Sequence, residues 1–242
     1  MSILAFIGRR SAVVALAGKI ARRRGVRLDG PMGYEGQIAG LMDNVLGQRI
    51  KSAIVRYLKR QSIRQINARR EAVVQALVAV GHTLRFVNGG GTGSFESTWR
   101  DASVTELAAG SALYMPTLFD HYAAFHALPA VGFAVPVTRI PESSIVTCSG
   151  GGYIASGSAG RDRLPQPWLP AGCALINTEG AGEVQTPVWH PPFVALKIGD
   201  PMLFRHAKAG ELCEHFNELL LIRDGHVVQR ISTYRGDGKS FF

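Results

Sequence analysis

The segment that most constrains this chain is 87–94, Val-Asn-Gly-Gly-Gly-Thr-Gly-Ser, which directly follows the apolar run 84–87. Glycines let consecutive backbone N–H groups converge on an anion without Cβ obstruction, and the hydroxyls of Thr92 and Ser94 add further donors. A strand running into such a loop therefore has the build of a phosphate cradle. The spacing fits neither the dinucleotide-binding nor the P-loop pattern, so taken alone the segment reads equally as a flexible turn.

The surrounding pattern supplies a context. Ser11 reads as the N-cap of an amphipathic helix through Arg24, with Val13, Val14, Leu16, Ala17 and Ile20 at helical spacing and Gly25 as its stop. A strand over 26–30 follows. Residues 48–80 are again helical in pattern, with Ile54, Leu58, Ile66, Val73, Val74 and Leu77 on one side, Arg60, Arg64, Arg69 and Arg70 elsewhere, and Gly81 at the end. Strands are expected over 84–87 and 104–108. Strand, loop and helix alternate here as in a β/α barrel, where functional loops lie at the C-terminal ends of the strands. After Pro129 the pattern changes to short β-branched runs (131–138, 145–148, 219–222, 227–231) separated by Gly, Pro and Ser clusters, which reads as antiparallel β. Glu183 and Gln185 are expected to share one face of a strand. The fold class is thus α/β, a partial β/α barrel over 1–128 followed by an antiparallel β domain over 129–242. A complete barrel needs about 250 residues, so roughly half of one is present.

Composition sets outer limits. The chain has 242 residues, 46% of them apolar, enough for a sizeable core. Cys148, Cys173 and Cys213 are widely spaced without a paired pattern, which argues for a reducing compartment and a cytoplasmic location. The apolar stretch at 1–10 is too short for a signal-peptide core, and no run approaches the ~20 apolar residues of a membrane span. The net charge of +9 comes largely from scattered arginines, and the Arg22–Arg24 block sits where a helix C-terminus favours cations. With no aromatic interleaving and no reading motif, no nucleic-acid partner is expected.

Several segments in order carry a resemblance: 33–40 (Gly-Tyr-Glu-Gly-Gln-Ile-Ala-Gly), the glycine loop, 105–114 with its Gly110-Ser111, 180–187, 205–213 and Tyr234-Arg235-Gly236. Together they resemble the D-threonine aldolase and D-serine dehydratase-like family of alanine-racemase-type enzymes, also named amino acid deaminase/aldolase. The resemblance implies pyridoxal 5'-phosphate as cofactor and a lyase acting on D-amino acids such as D-threonine or D-serine. It places Gly90, Gly91, Thr92 and Gly93 at the cofactor phosphate, Gly110, Ser111 and Tyr114 as a second set of contacts, and Tyr34 near the ring, although a half-buried core tyrosine is an equal reading of Tyr34.

The same resemblance exposes a gap. The family holds its cofactor through a lysine in a Ser/Lys run on the first barrel strand, whereas the six lysines here are Lys19, Lys51, Lys59, Lys197, Lys208 and Lys239. Lys51-Ser52 has the right residue types but falls inside the long helical pattern. The chain is therefore expected to act as a truncated form, to work with a partner such as a missing N-terminal half or a second copy, or to be a non-catalytic remnant or phosphate-ligand binding module. Family members that cleave at the β-carbon bind a divalent ion through a His-x-Cys or His-x-Asp pair. Here six residues separate His206 from Cys213, the best candidate pair for an ion such as Zn²⁺, with Glu211 or His215 as substitutes. A buried histidine and a core cysteine need no metal at all.

Overall fold

A computed structural model describes residues 10–158 and 160–241. The stretch 1–9, the apolar part of the N-terminus that is too short for a signal core, lies outside them. The chain divides into two compact units, the first made of 1–113 and 121–127, the second of 114–120 and 128–242.

In the first unit, α1 (Arg10–Ala21) and α3 (Arg49–Ala79) pack together through Ala17, Val73 and Leu77. Between them come β1 (Met32–Gly33) and the single turn α2 (Gly36–Ala39). After α3 follow β2 (Asn88–Gly89), α4 (Phe95–Thr98) and β3 (Glu106–Leu107). The strands form a parallel sheet in the order β1-β2-β3, with Met32 opposite Asn88 and Asn88 opposite Glu106. Parallel neighbours joined by helices are the β/α repeat expected from the sequence.

Details differ from the expectation. Ser11 lies inside α1, and the helix stops at Ala21, before the arginine block. The first strand pairs at 32–33 rather than 26–30, and the second at 88–89 rather than 84–87. Each of these strands contributes only two residues to the ladder.

The inward stripe of α3 is also not the apolar one. Its buried residues are Ser52, Lys59, Ile66, Arg70, Val73 and Leu77, while Ile54 and Leu58 are more than half exposed. At 1.5 Å per residue the helix is roughly 46 Å long, and its first half meets a polar loop rather than a core. Val45 N–H donates to Ser52 Oγ at 3.2 Å, Lys59 pairs with Asp43 at 3.1 Å, and Arg56 donates to the Asp43 carbonyl. Further along, Arg70 is 3% exposed and lies between Glu35 and Asp101, 2.6 Å from the latter. Its guanidinium also donates to the Gly33 carbonyl at the end of β1.

The second unit is built on a six-stranded antiparallel sheet: β4 (Phe133–Glu142), β5 (Ile145–Ser149), β6 (Gln166–Leu169), β7 (Ala174–Leu175), β8 (Gln185–Trp189) and β9 (Pro201–Arg205). The spatial order is β6-β9-β4-β5-β8-β7, and the two outer strands approach each other, so the sheet nearly closes on itself. Burial alternates along β4, with Phe133, Val135 and Val137 inward, as a period of two requires. These side chains pack with Val146, Cys148, Val188, Met202 and Phe204. The strand expected to hold both Glu183 and Gln185 begins only at Gln185. Helix α5 (Ala209–His215) follows β9, and its Glu211 side chain reaches back to accept the Lys208 N–H at the helix start. A hairpin, β10 (Glu218–Arg223) and β11 (His226–Ser232), ends the fold. Its Asp224-Gly225 turn has both residues at positive φ, as a two-residue hairpin turn demands.

Among the described residues no helix is long and apolar enough to cross a membrane, and all three cysteines are free thiols.

Because Arg70 compensates two buried carboxylates, Arg70→Met should leave Glu35 and Asp101 as uncompensated buried charges and cost about 3–5 kcal/mol of unfolding free energy. Urea denaturation checks this; a loss under about 1 kcal/mol would show that the network is well solvated.

Candidate functional site

The glycine loop leaves the end of β2 and is held from one side by a carboxylate. Glu35 Oε2 accepts the Gly90 N–H at 2.9 Å and the Ser94 hydroxyl at 3.0 Å, while Arg70 engages its other oxygen. Gly91 closes the turn by accepting the N–H groups of Ser94 and Phe95, each at 2.9 Å. The N–H groups of Gly91, Thr92 and Gly93 donate to no other group among the described residues. Three consecutive free amides are the donor set of an anion nest.

Each glycine has a separate steric reason. Gly90 sits at φ +98°, and a Cβ there would come 3.0 Å from the Ala108 carbonyl. A Cβ on Gly91 would lie 2.7 Å from the Tyr34 ring, and one on Gly93 only 1.8 Å from the Ala39 carbonyl. That carbonyl also accepts the buried Tyr122 hydroxyl at 2.6 Å. Thr92 is buried at the loop's centre. The loop is a packed object in which side chains have no room.

Tyr34 is 49% exposed and lies flat enough on the loop to limit Gly91, so it flanks the free amides rather than sitting in a core. Gly110 and Ser111 begin a short 3-10 turn, Gly110–Leu113, with open space beside Gly110. Tyr114 belongs to the second unit. There its hydroxyl lies near the Cys213 thiol, and its ring meets His206 edge-on with centroids 6.1 Å apart.

The expected metal pair is therefore embedded in a different environment from that of a cation site. His206 is 1% exposed, and neither ring nitrogen makes a hydrogen bond of regular geometry, although the Val131 carbonyl is near enough to favour its protonated form slightly. Burial, and then the adjacent Arg205, nevertheless push its pKa down to about 4. Burial also raises the Cys213 thiol above its usual range, with Tyr114 opposing, so the thiolate that a metal needs is disfavoured. Burial likewise raises Glu211, whose carboxylate is already committed to the Lys208 N–H. Among the described residues no three His, Cys, Asp or Glu side chains come together to hold a metal ion. His206 and Cys213 are thus both packed in the core, and among the described residues no third donor stands with them.

The lysines can now be placed. Lys19 is on α1, Lys51 and Lys59 on α3, Lys197 and Lys239 in exposed loops, and Lys208 at the N-cap of α5. None stands at the C-terminal end of β1, β2 or β3.

No protein-family model and no curated protein matches the sequence. Solved structures do. D-threonine aldolase from Filomicrobium marinum superimposes with a TM-score of 0.75 at 16% identity, over 94% of this chain and 58% of that one. D-threo-3-hydroxyaspartate dehydratase from Delftia sp. HT23 gives 0.69 at 17% identity, over 94% and 61%. An alanine racemase-like protein from Idiomarina loihiensis gives 0.63 at 13% identity, over 92% and 58%. The fold is of the alanine-racemase type. This chain spans about three fifths of the length of the proteins that share it.

Sequence reading missed Glu35, Arg70 and Asp101, which shape the loop. Glu35 lies inside the segment singled out around Tyr34, and a carboxylate beside a loop of free donors was the available signal.

The buried imidazole has a measurable consequence. Its folded pKa of about 4 lies below the usual 6.5, so the unfolded state binds the proton first as pH falls. Stability from this group is fully present above pH 6.5 and is lost as pH drops toward 4, by on the order of 3 kcal/mol in total. The stability difference between wild type and His206→Gln should shift by that order between pH 7 and pH 4 in urea titrations; a pH-independent difference would mean that His206 protonates freely in place.

Proposed function

We propose that the glycine loop binds the phosphate of pyridoxal 5'-phosphate, and that the chain is the cofactor-phosphate half of a lyase acting on D-amino acids such as D-threonine or D-serine. The observation carrying this reading is the run of three free amides at Gly91, Thr92 and Gly93, at a strand end in an alanine-racemase-type fold. Three N–H donors with the Thr92 hydroxyl match a phosphate, whose oxygens only accept. Tyr34 beside Gly91 offers an aromatic face and a hydroxyl at the rim. Gly110 and Ser111 are proposed as the second contact set.

When bound, the cofactor would supply an electron sink for bonds at the substrate Cα. The chain's own residues fix the phosphate and limit access beside it; the amine that would anchor the cofactor is not among the strand-end residues here. We infer that it comes from another polypeptide segment carrying the remaining β/α units. Among the described residues the edge of β1 away from β2 has no strand beside it. Along that part of the unit lies an open, largely apolar cavity of about 700 Å³, lined by Val13, Ala17, Ile20, Leu28, Val73 and Leu77 among others. Apolar surface of this extent favours cover by another element at roughly 25 cal/mol per Å².

The lysine positions favour one alternative, a phosphate-ligand binding module without chemistry of its own. Borohydride reduction of the chain with pyridoxal phosphate should then yield no stoichiometric pyridoxyl-lysine by mass spectrometry, in either reading, unless a polypeptide with the remaining β/α units is added. Unique labelling of one lysine in the chain alone would overturn the account of its amines. For the loop itself, Gly91→Val drives a branched side chain into Tyr34 and should weaken binding of the reduced cofactor, pyridoxine 5'-phosphate, at least tenfold by calorimetry, with the circular dichroism spectrum unchanged. Equal affinity would reduce the loop to a turn.

A further inference from the structure

We infer that the first unit carries a second anion site, beside the glycine loop and built on side chains rather than on its amides, in which Arg56 and Arg60 of α3 bind a phosphate dianion, free or as the monoester of a small molecule. Helix α3 contains eight Lys and Arg residues and one carboxylate, Glu71. Most of that charge faces water. Part of it lines a partly open cavity of about 310 Å³ between α3, α4 and the segment at Ala123, bounded by Asp43, Arg56, Lys59, Arg60, Ser97 and Arg100 among others.

The cations there are not equally free. Lys59 is held by Asp43 at 3.1 Å and lies 4.3 Å from the centre of the Tyr122 ring. Arg100 pairs with Glu96 at 2.6 Å. These pairs use both carboxylates of the lining. Arg56 gives one N–H to the Asp43 carbonyl, and neither Arg56 nor Arg60 has a carboxylate within ion-pairing distance among the described residues. Four cations against two carboxylates leave two positive charges facing the cavity, which is the charge of a phosphate dianion reversed.

The placement of the two arginines supports a tetrahedral guest. Residues four apart on a helix lie on one face, and like charges there repel, so the pair is unfavourable until an anion sits between them. Guanidinium forks present paired N–H groups that match two phosphate oxygens each. The cavity lies at the small end of ligand pockets, large enough for phosphate with a short organic group and too small for a nucleic-acid strand. The lining also includes Gly93 and Ser94, at the far end of the glycine loop, but the charge argument does not use the free amides and stands without the cofactor reading.

The test is thermal unfolding of the full chain at constant ionic strength, with inorganic phosphate or phenyl phosphate replacing chloride, in wild type, Gly91→Val, and Gly91→Val combined with Arg56→Gln and Arg60→Gln. Phosphate should raise the unfolding temperature of Gly91→Val by at least half as much as that of wild type, and the triple variant should lose that response. The better of the two ligands tells a monoester site from a free-phosphate site. A Gly91→Val response no larger than that of chloride would overturn the proposal, since only the loop would then bind. An unchanged response in the triple variant would overturn it as well, by placing the anion away from the two arginines. Calorimetry on the same proteins should show a dissociation constant raised more than tenfold by removing both guanidinium groups.

Discussion

One guanidinium organises the first unit. Arg70 is almost fully buried, and it joins three places far apart in sequence: Glu35 after β1, Asp101 after α4 and the Gly33 carbonyl. Each carboxylate then holds something further. Glu35 fixes the entrance and exit of the glycine loop, and Asp101 accepts both the N–H and the hydroxyl of Ser103. An isolated buried charge would cost several kcal/mol, so the cation and its two partners can only persist together. The loop geometry is thus set by the helix behind it.

The second unit uses the same device with partial exposure. Arg205, at the end of β9, makes two bonds of 2.7 Å to Asp120 and one of 2.9 Å to the Met115 carbonyl. Together with the bond from Thr117 N–H to the His206 carbonyl, this ties the segment 114–120 to β9. Met115, at φ +47°, is fully buried within that segment. The antiparallel sheet is conventional by comparison, because alternation along β4, β8 and β9 suffices to build it.

What was legible in the sequence was local or periodic. The glycine loop stood out because glycine's conformational freedom is written in residue identity, and the period of two in 131–138 marked β4. The helical period located α3, yet it gave the wrong inner face at its N-terminal half, since Ser52 and Lys59 face a polar loop there while Ile54 and Leu58 face outward. Contacts between residues 35 and 70 or 120 and 205 leave no local trace. The same holds for His206 and Cys213. Their residue types suit a metal, but their burial and the lack of a third donor beside them among the described residues are tertiary properties that spacing does not carry.

The Glu35 carboxylate has a consequence for how the loop meets a ligand. By accepting Gly90 N–H and Ser94 Oγ, it occupies the two outer donors and leaves the three central amides pointing at a place already shaped. The conformational entropy of ordering the loop is lost during folding, at about 1–2 kcal/mol per residue, and not again at association. A glycine-rich segment is ordinarily the most mobile part of a chain, but this one is a preorganised socket. For the phosphate proposed as its guest, selectivity would then come from rigidity, since an anion of the wrong radius would find amides that do not close around it.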